Sequence, residues 1–439
     1  MFSKKNYRNK IYVYYFVCAF FYGLLYLFIT PPFYVPDEVA HFKKAANNEI
    51  IYFRGALKIS ENAQNFSNIN IFTWDFVREN KGYKYKASEI LSFRDKFLWN
   101  DKLVDANLSA IAGYPYTSYI FSKIGIEVSK IFTDKIFYSF YFGRLFNFLF
   151  AIIALTITLK HVNKGREALF IILCMPMTLS LLASYNQDCV LISLSCLLIL
   201  LLTKFNDLRN SFLILILINF ILLCIILARP PYIPLLLIPF VLLKKDNSNS
   251  NYFLIICFIF FLILSLFFIL TFPTPNSPAN LEYFFLHPLK FLKVVLLDLE
   301  INLFRYILQF IGYLGHINIA LPKIVYLFFS FCFFLILFFN INYYKKNSDV
   351  KYANYLIIII ATIGSVFLIF LSQYLYFTAE VNRDKFIQGV NGRYFIPAAI
   401  ILTTILPSIQ KKINLEKIII LVCPHINIIS LIKIYNFFY

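Results

Sequence analysis

The sequence predicts an all-α protein that crosses a membrane about eleven times, within a range of about ten to thirteen crossings. Hydrophobic residues make up 60% of the 439-residue chain, which excludes an ordinary soluble domain. Long apolar runs alternate with short loops rich in Lys and Asn. The net charge of +18 lies in short clusters beside those runs, as is typical of cytoplasmic loops, so we expect a lipid bilayer as partner and no nucleic acid.

Residues 1–30 predict a basic N-terminus followed by the first transmembrane helix. The tail carries Lys4, Lys5, Arg8 and Lys10, and residues 11–30 are mostly apolar. A run of about 20 such residues crosses a bilayer at roughly 1.5 Å per residue. The positive-inside rule predicts a cytoplasmic N-terminus, so the chain after residue 30 is expected on the extracytoplasmic side.

Residues 31–135 predict a large first extracytoplasmic loop, a domain with interfacial helices, because this polar stretch holds no apolar run long enough to cross. Residues 136–272 predict transmembrane helices 2–7. The expected spans are 136–159, 168–184, 188–203, 211–228, 231–243 and 252–272. The span at 231–243 is short and contains Pro231, Pro234 and Pro239, so its crossing stays open.

Residues 273–322 predict a second extracytoplasmic loop with amphipathic or re-entrant pieces. A crossing at 297–318 is the alternative, but it would place the later basic clusters on the opposite side from the earlier ones. It would also bury Asp298, Glu300 and Arg305 in the membrane, which is costly. Residues 323–439 then predict helices 8–11, with expected spans at 324–343, 353–377, 393–410 and 417–436.

Under this topology the unusual polar residues converge on the extracytoplasmic side. They are Asp37, Glu38 and His41 in PPFYVPDEVAHF; Tyr185, Asn186, Gln187 and Asp188 in LLASYNQDCV; Arg229 and Tyr232 in ILARPPYIP; His287 and His316 in the second loop; and Gln388, Asn391, Arg393 and Tyr394 in IQGVNGRYFIP. Taken singly, an acid beside a Pro indicates a helix cap, and an arginine at a membrane edge indicates a lipid anchor. Their collection on one face favours a functional site.

The residue types indicate transfer from a lipid-linked phosphate. Asp37 is suited to accept a proton from a hydroxyl, with Glu38 close by. Arg229 and Arg393 are suited to bind a phosphate through paired, charge-assisted hydrogen bonds. No cofactor is required by the spacing, although a divalent metal held by Asp37, Glu38 and Asp188 stays open. All eight cysteines lie in or beside apolar segments and no CxxC occurs, so no disulfide framework or zinc site is expected.

Five motifs in order resemble those of a bacterial family of membrane proteins, the domain of unknown function 2142. They are PPFYVPDEVAHF, PMTLSLLASYNQD, ARPPYIPLL, HPLKF followed by FIGYLGHINIALP, and QGVNGRYFIPAA. The resemblance covers about residues 30–400. The family is placed near the GT-C class of glycosyltransferases, which implies a bundle of many helices, a catalytic acid in the first extracytoplasmic loop, and a polyprenyl-phosphate sugar as donor.

The resemblance implies a role for each matching position. Asp37 takes the place of the general base, and Glu38 is a second candidate for it or a metal or acceptor contact. Arg229 and Arg393 would face the donor phosphate. The resemblance also places Tyr232 and Tyr394 against the isoprenoid or sugar, and His316 where the family often has an aromatic. Their position on the same face, and not the resemblance, makes His41, Asn186, Asp188 and Gln388 further substrate-binding candidates.

The sequence therefore predicts an inverting glycosyltransferase of the bacterial cytoplasmic membrane with its active site on the extracytoplasmic side. Its donor would be a polyprenyl-phosphate sugar and its acceptor a cell-surface polysaccharide or lipid-linked glycan. One alternative is a flippase or exporter of lipid-linked sugars, and another is a polysaccharide polymerase or ligase with a lipid pyrophosphate donor. The lack of an internal repeat and of charges along the spans, apart from Arg144, favours surface chemistry over transport.

Overall fold

The computed structural model describes residues 10–47, 58–80, 82–106, 108, 114–204, 211–242, 248–271, 278–344, 352–406 and 420–439. These residues form an all-α membrane protein with two short antiparallel strand pairs. Five described helices are long and apolar enough to cross a membrane: Ile11–Ile29, Ile136–His161, Gln187–Lys204, Asn354–Tyr376 and Ile420–Phe438. Five shorter apolar helices lie at Leu213–Ala228, Pro230–Leu242, Leu254–Phe267, Lys323–Phe338 and Gly392–Ile405. The predicted spans 393–410 and 417–436, and the basic clusters after residues 204, 243, 344 and 407, lie partly or wholly outside the described residues.

The first apolar helix leads into a segment of short elements packed on an aromatic core. The helices are α1 Ile11–Ile29, α2 Glu38–Ala46, α3 Glu61–Ser67, α4 Trp74–Glu79, α5 Ala87–Leu91 and α6 Ile120–Phe132, with 3₁₀ turns at Asn70–Phe72 and Tyr116–Tyr119. Strands β1 Lys58–Ser60 and β2 Leu103–Asp105 pair antiparallel. Phe33 lies at the centre, with its ring centroid 5.3 Å from that of Phe66 and 4.8 Å from that of Phe140. These edge-on contacts bind the segment to the helix that follows it.

The middle of the chain forms the body of the bundle. Its elements are α7 Ile136–His161, α8 Arg166–Cys174, α9 Pro176–Leu182, α10 Gln187–Lys204, α11 Ser211–Ala228, a 3₁₀ helix Pro230–Leu242 and α12 Ser248–Thr271. α6 folds back along the first half of α7, where a Cβ on Gly125 would lie only 2.4 Å from the carbonyl oxygen of Phe142. Phe121 stacks on Phe150 of α7 with ring centroids 3.6 Å apart. The absence of a side chain at Gly125 is what lets the two helices approach so closely.

The predicted span at 168–184 is wrong as one continuous helix. It forms α8 and α9, which are separated at Met175, where the backbone is extended. Pro176 has no N–H to donate to the carbonyl of Ile172, and it disfavours a helical residue before it. The Thr178 hydroxyl donates to the Ile172 carbonyl instead, at 2.7 Å.

The short proline-containing segment reaches further than an α-helix of its length would. Pro230–Leu242 is a 3₁₀ helix of 13 residues, with Pro234 and Pro239 inside it. A 3₁₀ helix rises about 2.0 Å per residue, so the segment is about 26 Å long, against about 20 Å for an α-helix. The hydrocarbon core of a bilayer is about 30 Å thick. The prolines therefore help to give a short stretch nearly the length of a span.

The last third of the chain contains two small helices, one long helix rich in charged residues, and the remaining apolar helices. The helices are α13 Pro278–Leu286, α14 Pro288–Gly312, α15 Lys323–Tyr344, α16 Tyr352–Tyr376, α17 Ile396–Leu402 and α18 Ile426–Phe438. Strands β3 Tyr313–Leu314 and β4 Ile319–Ala320 form a hairpin. Short 3₁₀ helices lie at Glu380–Asn382, Gly392–Phe395, Thr403–Ile405 and Cys423–His425.

The 25-residue helix α14 occupies much of the predicted second loop. Phe291 contacts Tyr374 of α16, and Tyr306 contacts Phe370. These contacts are about 22 Å apart along α14 but only about 6 Å apart along α16, so α14 crosses α16 at a steep angle.

α14 buries Asp298, although a buried carboxylate in this segment is expected to be costly. The carboxylate accepts hydrogen bonds from the Tyr306 hydroxyl at 2.6 Å, the Asn302 amide at 2.9 Å and the Ile387 backbone N–H at 3.2 Å. Leu289, Leu296 and Leu303 lie on the exposed surface of the same helix. α14 therefore turns Asp298 toward the protein together with apolar residues such as Phe291 and Val294, and three hydrogen bonds offset the burial of the acid.

Candidate functional site

Four chain segments meet at one end of the bundle and bring four charged residues together. Asp37 follows α1, Asp188 begins α10, Arg229 follows α11, and Arg393 lies in the 3₁₀ helix Gly392–Phe395. α1 and α11 end at this site, whereas α10 and the 3₁₀ helix begin there. Residues more than three hundred positions apart in sequence thus become neighbours.

The four residues form a chain of alternating charge, here called the charge array. Arg393 Nη2 lies 2.8 Å from Asp37 Oδ2, and Arg393 Nε lies 3.6 Å from Asp188 Oδ2. Arg229 Nη2 lies 2.7 Å from Asp188 Oδ1. The Asp188 side chain is 4% exposed, whereas that of Asp37 is 59% exposed. Asp188 is therefore the internal counterion of both arginines, and Asp37 is the solvent-facing end of the array.

Both arginines keep donors that are not used within the described part of the chain. Arg229 Nη1 and Arg393 Nη1 are buried and have no hydrogen-bond partner among those residues. A buried donor without a partner costs about 1–3 kcal/mol, so native structures seldom keep one without a reason. Two such guanidinium donors that share one counterion indicate a site for an anion.

Tyr394 lies beneath both guanidinium groups. Its ring centroid is 4.1 Å from the Arg229 guanidinium carbon and 5.4 Å from that of Arg393, which are cation–π distances. The Tyr232 hydroxyl donates to the Tyr394 carbonyl oxygen at 2.6 Å, and Tyr232 is fully buried. The prediction that Tyr232 packs against a ligand is therefore wrong. Its position and bond instead hold the Arg393 segment against the start of the 3₁₀ helix at Pro230.

Glu38, adjacent to Asp37 in sequence, is buried in an ion pair away from the charge array. Arg144 Nε donates to Glu38 Oε1 at 2.8 Å, and Arg144 Nη2 donates to Oε2 at 2.6 Å, with both side chains 0% exposed. The Tyr185 backbone N–H donates to Glu38 Oε1 at 2.9 Å. With its carboxylate fully occupied, Glu38 is not placed to act as a base or metal ligand. The candidate roles of Glu38 are corrected accordingly.

Arg144 also fixes the turn that carries Asp37. Its Nη1 donates to the carbonyls of Leu27 and Thr30 at 3.0 and 2.9 Å, and its Nη2 donates to that of Pro31 at 3.1 Å. These carbonyls lie at the end of α1, where the last carbonyl groups of a helix have no intrahelical N–H donor. The sequence marked Arg144 only as the one charge near the start of a span. A charged residue within a span indicates that an oppositely charged partner lies nearby, and this was the signal in the sequence for the Arg144 ion pair.

The backbone of Asp37 directs its side chain toward Arg393. Asp37 has φ 65°, in the left-handed region, and its carboxylate does not cap α2. The helix-cap interpretation is therefore wrong for this residue. Burial acts to raise the pKa of Asp37, but the Arg393 guanidinium holds that pKa below its ordinary value.

Two histidines flank the array in their neutral form. His41 Nδ1 lies 2.8 Å from the Tyr119 hydroxyl, and the His316 ring lies 4.8 Å from that of Tyr34. Burial is the largest cause that lowers the pKa of each to about 4. Near neutral pH they contribute polar edges and ring faces to the site without adding charge.

Other predicted contacts serve the local backbone. Asn186 donates to the Leu181 carbonyl at 2.6 Å and accepts from the Cys189 N–H at 2.7 Å, so it closes the turn before α10. Gln388 accepts from the Ala379 N–H at 2.8 Å. The prediction that Asn186 binds substrate is corrected, because both of its polar side-chain atoms are used in the turn. The side-chain oxygen of Gln388 is used in its own loop, and substrate binding by Gln388 stays a prediction. His287 packs on Tyr283 at the start of α14.

The helix α14 positions Arg393, a role that the sequence did not reveal. Gln309 Oε1 accepts a hydrogen bond from the Gly392 N–H at 2.9 Å. A Cβ on Gly392 would lie 2.0 Å from the carbonyl oxygen of Tyr306. The Asn391 side chain also accepts from the Arg393 N–H at 3.2 Å. Only glycine allows the arginine segment to lie so close to the backbone of α14.

No group of three or more His, Cys, Asp or Glu that could hold a metal ion occurs in the part of the chain that the structure describes. The three carboxylates considered from the sequence, Asp37, Glu38 and Asp188, are each paired with an arginine. Cationic partners of this kind compete with a metal for the same oxygen atoms.

The comparisons with known proteins place these residues inside one matched region. A family described as "Predicted membrane protein (DUF2142)" matches residues 20–402, which include the whole charge array. No match was found among curated proteins or among solved structures.

Proposed function

The chain belongs to the DUF2142 family of predicted membrane proteins, and from that premise we propose that it is an inverting membrane glycosyltransferase. It transfers a sugar from a polyprenyl-phosphate donor to a hydroxyl of a cell-surface polysaccharide or lipid-linked acceptor. The observation that carries the proposal is an exposed carboxylate opposite two buried arginines with unused donors, at one end of a membrane bundle. We propose further that this end faces the extracytoplasmic side of a bacterial cytoplasmic membrane.

In the proposed step, Asp37 acts as the general base. Its carboxylate takes the proton of the acceptor hydroxyl while the acceptor oxygen forms a bond to the anomeric carbon of the sugar. The bond between that carbon and the phosphate oxygen breaks, and its electron pair stays on the phosphate. The products are the new glycoside, a polyprenyl phosphate with one more negative charge, and a protonated Asp37.

Arg229 and Arg393 stabilise the leaving group in this scheme. Negative charge grows on the phosphate as the glycosidic bond breaks, and buried guanidinium donors aimed at that charge lower the barrier. Asp188 holds both guanidinium groups in place before substrate arrives. Tyr394, beneath them, offers its ring to the sugar or to the isoprenoid.

Two other functions compete with this one. A flippase or exporter of lipid-linked sugars would need charged groups along a transport path, yet the charge array collects at one end of the bundle. A polysaccharide polymerase or ligase would use the arginines on a pyrophosphate donor and does not require a carboxylate base. Whether activity requires the Asp37 carboxylate therefore distinguishes the glycosyltransferase from the other functions.

The test replaces Asp37 by Asn in the producing cell and compares the surface glycan by mass spectrometry. We expect loss of one sugar from the glycan, because general base catalysis contributes about 10²–10⁴ in rate. Asp95→Asn is the matched control, since Asp95 is also an exposed acid paired with a cation, Lys135, away from the array. An unchanged glycan, in cells with normal amounts of the Asp37→Asn protein, would refute the role of Asp37 as general base.

A further inference from the structure

We infer that Arg393 exchanges the Asp37 carboxylate for one singly charged phosphodiester when donor binds, so that the donor itself releases the base. The identity of the ligand rests on the proposed function. The exchange itself rests on the geometry of the charge array and is testable by binding alone.

The first observation is that the array is electrically balanced. It holds two carboxylates, Asp37 and Asp188, and two guanidinium groups, Arg229 and Arg393. The Glu38–Arg144 pair is balanced separately. An anion that enters without displacing a carboxylate would leave an uncompensated negative charge in a largely buried site, which is costly.

The second observation identifies the carboxylate that leaves. Asp188 is 4% exposed and contacts both arginines, so its departure would strand a buried charge. Asp37 is 59% exposed, and its carboxylate bonds only to Arg393 among the described residues. The Asp37 side chain can rotate toward the solvent while the rest of the array stays intact.

The third observation is the set of donors that receives the ligand. Arg393 Nη1 is buried without a partner, and Arg393 Nη2 becomes available when Asp37 turns away. Together they form the planar fork that binds two oxygens of one phosphate. Arg229 Nη1 supplies a further unpartnered donor from the other side of Asp188.

The charge balance also selects the class of ligand. A phosphodiester brings one negative charge and replaces one carboxylate at Arg393. A pyrophosphate diester brings two, and the excess would lie beside the fixed charge of Asp188. The array therefore favours a polyprenyl-phosphate sugar over a polyprenyl-pyrophosphate glycan.

The exchange also places donor binding before proton transfer in the reaction. Before donor binds, Arg393 occupies the carboxylate and keeps it a weak base. After donor binds, Asp37 is free to accept the hydroxyl proton. As Asp37 becomes neutral, the phosphate gains its second charge, so the combined charge of the two groups does not change during transfer.

The experiment measures equilibrium binding of two probes to the purified full chain in lipid nanodiscs. Farnesyl methyl phosphate carries one negative charge, and farnesyl methyl pyrophosphate carries two. We expect Asp37→Asn to bind the phosphate probe about threefold to fivefold more tightly than the wild type, because a competing, half-exposed carboxylate is gone. Asp37→Ala is a second variant with the same expected direction. Asp95→Asn controls for a general loss of negative charge and should leave binding within about twofold.

Each outcome bears on a separate part of the inference. Unchanged or weaker binding of the phosphate probe to both Asp37 variants would overturn the exchange. The wild type should bind the pyrophosphate probe on the order of tenfold more weakly than the phosphate probe. Equal or tighter binding of the pyrophosphate probe would overturn the proposed ligand class. Tighter binding by the variants, together with an unchanged surface glycan in Asp37→Asn cells, would support the exchange and reject the glycosyltransferase.

Discussion

Replacing Glu38 by Gln distinguishes a buried structural acid from a catalytic one next to it in sequence. Glu38 accepts two hydrogen bonds from Arg144 and one from the Tyr185 N–H, and both members of the pair are 0% exposed. Glutamine has nearly the same shape, but it carries no charge and turns an amide N–H₂ toward a guanidinium donor. The substitution therefore leaves Arg144 as an uncompensated buried cation.

The expected loss of stability follows from this burial. Removing one partner of a fully buried ion pair costs about 3–5 kcal/mol, because the remaining charge keeps its desolvation penalty without the attraction. That is a large share of the roughly 5–15 kcal/mol by which folded proteins are stable. We expect a clear fall in the thermal unfolding midpoint of the purified protein and a lower yield in membranes.

A second variant tests the cause of that loss. Glu38→Gln combined with Arg144→Met removes the stranded cation together with its partner. The double variant should be less destabilised than the sum of the two single variants, as expected for residues in direct contact. Asp95→Asn, at an exposed ion pair with Lys135, should leave the unfolding midpoint unchanged.

One result would refute the structural role of Glu38. If Glu38→Gln unfolds at the wild-type temperature and yet abolishes sugar transfer, Glu38 takes part in the chemistry. The Asp37→Asn protein should show the reverse pattern, with lost transfer and a smaller fall in the unfolding midpoint than Glu38→Gln, because Asp37 is largely exposed and Asp188 still pairs with Arg393.

Three further predictions concern the arginine segment and the buried histidines. Gly392→Ala should weaken binding of farnesyl methyl phosphate, because its Cβ would clash with the Tyr306 carbonyl and displace Arg393, whereas Gly364→Ala, with its nearest contact at 3.3 Å, should bind normally. Arg393→Lys should weaken the same binding about tenfold, since a lysine ammonium lacks the planar fork, and wild-type affinity in this variant would contradict the fork. The pKa of His41 is lowered to about 4 by burial, so its contribution to stability is complete above the ordinary value of 6.5 and is lost as pH falls toward 4. The thermal unfolding midpoint should thus be constant from about pH 7 to 8 and should fall as the pH is lowered from about 6 to 4. The His41→Gln variant should show a smaller fall over the same range.

Much of the architecture follows from local properties of the chain. Apolar length and composition predict the membrane class, and the motifs predict the family, which the family match confirms. The ends of predicted spans place Asp37, Arg229 and Arg393 on the same side, because successive spans alternate in direction. The break at Pro176 was also visible in the sequence, since proline lacks a donor, although it was interpreted as one continuous span.

Other outcomes depend on partners that are distant in sequence. Tyr232 and Asn186 looked available for ligand, but a carbonyl at Tyr394 and a turn at Leu181 use their polar atoms. Asp298 looked too costly to bury, but Tyr306 on the same helix and the N–H of Ile387 provide its hydrogen bonds. Hydrogen-bond partners decide whether a polar group is structural or available, and the sequence does not reveal them.

The pair Asp37 and Glu38 separates the two kinds of information. By itself the sequence determined an all-α membrane protein with two adjacent acids after its first span and arginines at the ends of later ones. Only the tertiary structure decided that Arg144 buries Glu38, whereas Arg393 faces an exposed Asp37. The physical reason is that a carboxylate takes its role from the cation and the solvent around it, and both are set by segments more than a hundred residues away.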